Sequence, residues 1–462
     1  MTGLADEIAC LFRAPDRPGK ATVSILRDAA EAHLDLLRAA LCTVEPRSCP
    51  ALPLISSLLP QDPPAQLRFL CDPVLTEGIH NLAAFCPDLH AWHTCTADSR
   101  PVRISEQGDD DKGHCWRLGN AALPLLLRSA PDWCGELHLM TDHFGLLRFA
   151  MSDWCLTLTS TDAPQCIAVN EPLCLQLGRR TATWCLGTHP PQPFLQMPRQ
   201  TLVQMVAYNE QSPGDDRLRS LDSGLRSQWS LGAPVCLSGV RFLPVHCRAQ
   251  SRAAICGGIV KLLHDGLASA SPDIHDEFCR YVKSILGFDH AGARSGTLQS
   301  FSEPMQPRLM GFNVPFSARN EPEMCPYCLT CLGHEMAHTK MYLLGSIGWR
   351  RGWRLLHNAG ETTRVLPRYG RPLKVRTLFQ IPYTHLYEWT LLMDASAAGL
   401  AEYDASSRDF VRFGDELRNE ITEAFDAINV LAKPTPHGST ALEHFRRLFD
   451  DVDDRWRRLN RD

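Results

Sequence analysis

The sequence contains no run of about 18 apolar residues, the length a membrane-spanning helix requires. It has no excess of basic charge either. Its formal net charge is −5 over 462 residues, so the chain as a whole offers no attraction to nucleic acid or to an anionic membrane. There is no G-x-S-x-G elbow and no G-x-G-x-x-G opening a helix after a strand, and Pro18-Gly19-Lys20 lacks the rest of a phosphate loop. Internal repeats and low-complexity tracts are absent. With 44% apolar and 21% charged residues, the composition excludes a disordered or fibrous chain. The opening stretch, Met1 to Lys20, places acids ahead of a short apolar segment and has no long apolar core. It does not read as a secretory signal, and a cytoplasmic protein is expected.

Cysteine, by contrast, is plentiful. The 19 cysteines are odd in number and scattered, as at Cys10, Cys42, Cys71, Cys134, Cys185 and Cys279. Without a secretory signal they read as reduced thiols, mostly buried as small hydrophobes, rather than as a disulfide framework.

The length suggests more than one domain, and the pattern is of an α+β chain. Residues 1–45 look helical through Ala29, Ala30, Leu34, Leu37 and Leu41. Residues 46–65 are proline-rich and read as a connector. Short β-prone runs follow at 136–140, 146–150, 154–159 and 166–169, and predict an antiparallel sheet in an N-terminal mixed region, residues 1–250. From 251 to 462 the chain reads as a mainly helical domain. One helical face carries Ile255, Ile259, Leu262, Leu263 and Leu267, and another carries Ile274, Phe278, Tyr281, Val282 and Ile285. Further helices are predicted at 324–345, 382–403 and 412–432. A last helix is expected to open on a Thr440/Glu443 capping box.

The chemistry concentrates in His334-Glu335-Met336-Ala337-His338. On a helix, positions i and i+4 lie one turn apart on the same face, so two imidazoles can converge on one ion. Glu335 is the candidate catalytic group, within reach of a metal-bound water. The flanks Leu329, Leu332, Met341, Leu343 and Leu344 predict a buried helix, where two histidines and a glutamate are expensive unless paired or metallated. A third ligand has to come from elsewhere. His357, Glu361, His385 and Glu388 are candidates. His385 is favoured because it sits in an aromatic, apolar segment, Ile381 to Trp389, where an imidazole needs a partner. Cys325, Cys328 and Cys331 precede the motif as C-x-x-C-x-x-C, but no second C-x-x-C stands at ribbon spacing, and small buried residues are the simpler reading. Arg371 and Arg376 flank Pro372-Leu373 and are candidates for holding a carboxylate in a bidentate pair.

Over residues 250–400 the chain resembles the HExxH-type 2-oxoglutarate-dependent peptide β-hydroxylases that modify ribosomally made peptides. The resemblance runs through the helix Ile255–Leu267, the segment Ser271 to Ile285, Ser295 to Ser302, Pro307 to Val314, the motif His334–His338, and Gly370 to Leu373 leading into an aromatic helix. In that family a histidine tends to follow a leucine closely behind the Arg-Pro element. Here Leu378 is followed by Phe379 and Gln380, and the nearest histidine is His385. The resemblance implies non-haem Fe(II) held by His334, His338 and a third downstream group. It also implies 2-oxoglutarate on the iron with its distal carboxylate on Arg371 or Arg376, Glu335 in a supporting place, and a precursor peptide as substrate. Residues 1–250 would then bind the peptide or serve as a helper domain. The alternatives are a zinc metallopeptidase, with Glu335 as general base and Glu361 or Glu388 as third ligand, and a non-enzymatic metal-containing binding protein.

Overall fold

The computed structural model describes residues 19–43, 49–85, 118–123, 125–126, 137–140, 146–148, 150–151, 154–158, 166–170, 174–177, 180–181, 203–207, 235–244, 250–288, 300–302, 307–313, 326–363, 372–400 and 403–460. Arg371 and Cys325 lie outside the described residues.

Helix α1 (Gly19–Thr43) runs between two cores. Ile25 and Ala29 join the larger one, while Ala30, Leu36, Leu37 and Ala40 join a smaller one. That smaller core is closed by α2 (Ala51–Ser57), α3 (Pro63–Leu70) and α4 (Pro73–Phe85), through Leu52, Ile55, Phe69, Leu75 and Ile79. The proline-rich stretch expected to be a connector therefore forms helices. Proline in a first turn sacrifices no intrahelical bond. Pro63 follows the N-cap Asp62, whose carboxylate accepts from the Ala65 amide at 2.9 Å.

Strands β1 (Leu137–Met140), β2 (Leu146–Arg148), β3 (Trp154–Leu158), β4 (Cys166–Asn170), β5 (Cys174–Leu177), β6 (Arg180–Thr181) and β7 (Val203–Ala207) are short and pair in small groups. The sheet next to the motif is made of β8 (Val235–Leu237), β9 (Val240–Pro244), β10 (Ser284–Phe288), β11 (Ser300–Ser302) and β12 (Leu309–Asn313), in the order β11-β12-β10-β9-β8. Its centre is parallel, with β10 between β9 and β12. Strands β1 to β7 pair antiparallel, in two small sheets, β1-β4-β5-β6 and β2-β3-β7, but they do not organise residues 1–250 as one sheet: the packed core there is mostly helical, and β9 belongs to a sheet with a parallel centre. A parallel sheet covered on both faces buries successive side chains. Ile285 and Leu286 are both buried, as are Phe242, Met310 and Phe312, so alternation is no guide there.

The C-terminal region is mainly helical. Helices α5 (Gln250–Ala270) and α6 (Pro272–Tyr281) form the crossover from β9 to β10. Ile285, expected on the face of a helix, lies in β10, because α6 stops at Tyr281 and Val282 is already extended. The motif helix α7 spans Pro326–Arg351. Around it stand α8 (Val375–Ala397), α9 (Arg408–Leu431) and α10 (Pro436–Leu459). α7 packs on α1, α6, α8 and β11. Leu332, Met336, Leu343, Thr330, Thr339 and Lys340 are all buried, so α7 is a core helix with no solvated face. α8 starts well before the expected 382, with Pro382 inside it. α10 opens on Thr435, whose hydroxyl accepts from the Gly438 amide at 3.2 Å. Thr440 lies inside the helix and donates to the Pro436 carbonyl at 3.1 Å, so the expected capping box does not form: Pro436 at the first position starts the helix earlier.

Arg308 stitches the two cores together. Its guanidinium donates to the carbonyls of Tyr281 (3.1 Å), Cys71 (3.0 Å) and Arg280 (2.7 Å). Its φ of 83° is a left-handed conformation that a non-glycine residue keeps only when its surroundings hold it. Among the described residues, no helix is long and apolar enough to cross a membrane.

Candidate metal centre

The α7 stripe and the third turn of α8 face each other, and His334 stands between the rings of His338 and His385. The rings of His334 and His338 are edge to face, 4.9 Å between centroids. His385 of α8 brings a third ring 5.1 Å from that of His334. One helical turn further along α8, Glu388 places Oε2 3.0 Å from His334 Nδ1 and accepts from Thr330 Oγ1 at 3.4 Å. Ligand atoms of His334, His385 and Glu388 lie within 4.8 Å of one another.

The hydrogen bonds choose the tautomers. A histidine that donates Nδ1–H to a carboxylate keeps Nε2 for a ligand, and the Glu388 contact does this for His334. His385 Nδ1 lies 3.0 Å from the Ile381 carbonyl, which again leaves Nε2 available; that atom now faces the Glu420 carboxylate from α9. Thr384 also leans on this turn, donating to Ile381 at 3.2 Å. His338 stacks on Tyr342 at 5.9 Å and hydrogen-bonds Gln380. Its Nδ1 is buried without a hydrogen bond, an unpaired polar atom of the kind that calls for a partner.

Charge in the site follows from this packing. Burial, then the neighbouring His334 and His385, holds His338 well below the ordinary histidine value. Burial also works against a charged His334. The hydrogen bond and charge of Glu388, then the charges of Glu335 and Glu420, outweigh it and push His334 up to about 9. Positive charge is therefore favoured at His334, chiefly by Glu388, and disfavoured at His338. The ligand atoms that converge belong to His334, His385 and Glu388, an imidazole–carboxylate set that suits a divalent transition metal; His338 adjoins His334 but is not one of that set.

Glu335 is turned to the other side of α7. It is 3% exposed, and its two oxygens accept from Ser300 Oγ at 2.6 Å and Ser302 Oγ at 2.5 Å, both on β11. Glu361 is exposed, accepts from Asn358 at 2.9 Å and pairs with Lys433 at 3.7 Å; the structure does not bring it to the histidines. His357 is exposed. Cys328 and Cys331 are packed into the main core and are in neither ligand cluster. Arg376, in the first turn of α8, lines a cavity of about 210 Å³ together with Tyr342, Trp353 and Gln380. Tyr342 and Gln380 also touch His338, so the cavity reaches that histidine through them, though His334, His338 and His385 do not line it.

Sequence reasoning did not single out Glu420, the Ser300/Ser302 pair or the buried ion pair behind the site. Lys340 Nζ lies 3.1 Å from Glu277 Oε1 of α6 and donates to Tyr387 OH at 3.1 Å. These contacts join residues far apart in the chain, and no local spacing announces them. Neither the protein-family models nor the curated proteins provide a match to this chain.

Proposed function

We propose that the chain is a non-haem Fe(II)/2-oxoglutarate-dependent hydroxylase acting on a side-chain carbon of a ribosomally made precursor peptide. The observation that carries this reading is the cluster of His334, His385 and Glu388, with the His338 ring against His334, beside a cavity that Arg376 lines. In this reading the three imidazoles hold Fe(II). Glu388 keeps His334 in the ligating tautomer and Ile381 does the same for His385. Arg376, assisted by Arg371, takes the distal carboxylate of 2-oxoglutarate as a bidentate pair. Iron, 2-oxoglutarate and O2 together supply the oxidising power: a C–H becomes C–OH while 2-oxoglutarate becomes succinate and CO2. Glu335 positions α7 against β11 rather than taking a proton, since both its oxygens already accept serine hydroxyls. A reducing, cytoplasmic setting suits both the cysteine-rich chain and ferrous iron.

A second reading is a zinc metallopeptidase, favoured by one observation: Glu388, a weighed third ligand, sits within the same ligand cluster as His334. It requires Glu335 to leave its two serines and act as general base. The test is succinate formation from 2-oxoglutarate by the iron-loaded protein in air. Turnover that is lost in His334→Ala and His338→Ala, with a KM for 2-oxoglutarate raised at least about tenfold in Arg376→Ala, supports the hydroxylase. Peptide cleavage by a zinc form, with no succinate, overturns it.

A further inference from the structure

A second group of ligand-type side chains converges where α5 meets α6, on elements that contribute no histidine to the α7–α8 cluster. His264 lies near the end of α5, and His275 and Cys279 stand one turn apart on α6, on one face of it. The Nε2 atoms of the two histidines are 3.0 Å apart. Cys279 Sγ is 3.8 Å from His264 Nε2 and 3.5 Å from His275 Nε2.

The dimensions are those of one face of a coordination tetrahedron. An ion at the usual zinc distances from two imidazole nitrogens and a thiolate needs edges of about 3.3 Å between the nitrogens and about 3.6 Å from each nitrogen to sulfur. Each observed edge lies within about 0.3 Å of these values. Two imidazole nitrogens facing each other also have a single proton to share between them, and a cation satisfies both lone pairs at once. The surroundings are arranged for this. His264 Nδ1 lies 3.4 Å from Asp265 Oδ1, which leaves Nε2 as the ligating atom. Ser238, in the β8–β9 turn, hydrogen-bonds the sulfur.

We propose that His264, His275 and Cys279 form a second transition-metal site that takes Zn(II), with its fourth position open to water. Thiolate with imidazole in a tetrahedral frame selects zinc over calcium or magnesium. His275 and Cys279 are partly exposed, which gives the ion a way in. Bound there, the ion ties α5 and α6, the crossover between β9 and β10, to the β8–β9 turn through Ser238.

Full-length, metal-free protein titrated with Co(II) tests this, because cobalt in a tetrahedral thiolate site gives a sulfur-to-metal charge-transfer band that an imidazole–carboxylate site does not. The expected result is one equivalent giving that band, reversal by Zn(II), loss of the band and of one bound metal in Cys279→Ser, and retention of the band in His334→Ala. If Cys279→Ser does not fold, His275→Asn carries the test, with at least about tenfold weaker binding expected from a lost ligand. No band in the natural protein, a band that persists in Cys279→Ser, or unchanged affinity in His275→Asn overturns the proposal.

Discussion

Replacing Glu277 by glutamine removes the carboxylate that pairs with the Lys340 ammonium. Lys340 sits two residues past His338 on α7, and both partners are nearly sealed, with side chains 3% and 5% exposed. The ammonium donates to Glu277 Oε1 and Tyr387 OH, each at 3.1 Å, and Tyr387 OH donates to Glu277 Oε2 at 2.8 Å. Breaking one partner of a buried ion pair leaves an uncompensated charge, at about 3–5 kcal/mol. The rings of Tyr281 and Tyr387, 5.7 and 5.6 Å from the nitrogen, remain in the variant and return part of this, about 1 kcal/mol. The expected loss is therefore at the lower end, about 3 kcal/mol. Burial works against the charged lysine, but Glu277 first and then the tyrosines hold its pKa well above the ordinary value. A raised base contributes its stability in full below its unfolded value and loses it only as pH rises through the folded one, so the loss should be flat between pH 6 and 9. Urea unfolding of the natural protein, Glu277→Gln, Lys340→Met and Glu277→Leu/Lys340→Met gives the numbers. The double variant should recover most of the loss, because two apolar groups leave no buried charge. A cost below about 1 kcal/mol, or a double variant as unstable as the sum of the singles, would refute the reasoning.

His33 is fully buried; its Nδ1 lies 2.8 Å from the Leu70 carbonyl and its Nε2 makes no hydrogen bond. Burial, the largest influence, holds its pKa down at about 4. The unfolded chain then binds the extra proton between pH 6.5 and 4, so the folded state should lose about 3 kcal/mol over that window and nothing further above it. Parallel stability–pH curves for the natural protein and His33→Gln would rule this out. In the last helix pair, a Cβ on Gly414 would stand 2.1 Å from the Trp456 ring, which Asp415 pins by accepting from Nε1 at 3.1 Å. Gly414→Ala should lower stability by about 1–3 kcal/mol and be relieved by Trp456→Phe; an unchanged melting temperature contradicts the packing.

The motif was legible because one interval, i to i+4, decides which side chains share a helix face, and His334 and His338 need nothing else to meet. His385 and Glu388 were readable as candidates from their i, i+3 spacing within an apolar segment. What joins them to α7 is the α7–α8 packing, which no local pattern contains. The start of α8 was misplaced because Pro382 reads as a boundary, whereas the helix runs through it from Val375. The connector at 46–65 and the Thr440 cap failed for the same reason: proline at a first turn promotes a helix as readily as it ends one. The parallel centre around β10 escaped notice because strands buried on both faces lose their alternation. His275 and Cys279 have the i, i+4 spacing too, but only the return of the chain through Ser271 brings His264 to them.

The central claim is that His334, His338 and His385 hold iron beside an arginine-lined pocket for 2-oxoglutarate. It is tested most directly by adding 2-oxoglutarate to protein reconstituted with Fe(II) in the absence of oxygen and recording the visible spectrum. The account predicts a new charge-transfer band that is missing in His338→Ala and His385→Ala and that needs more 2-oxoglutarate in Arg376→Ala. No band, with one tightly held zinc that resists replacement by iron, would contradict it.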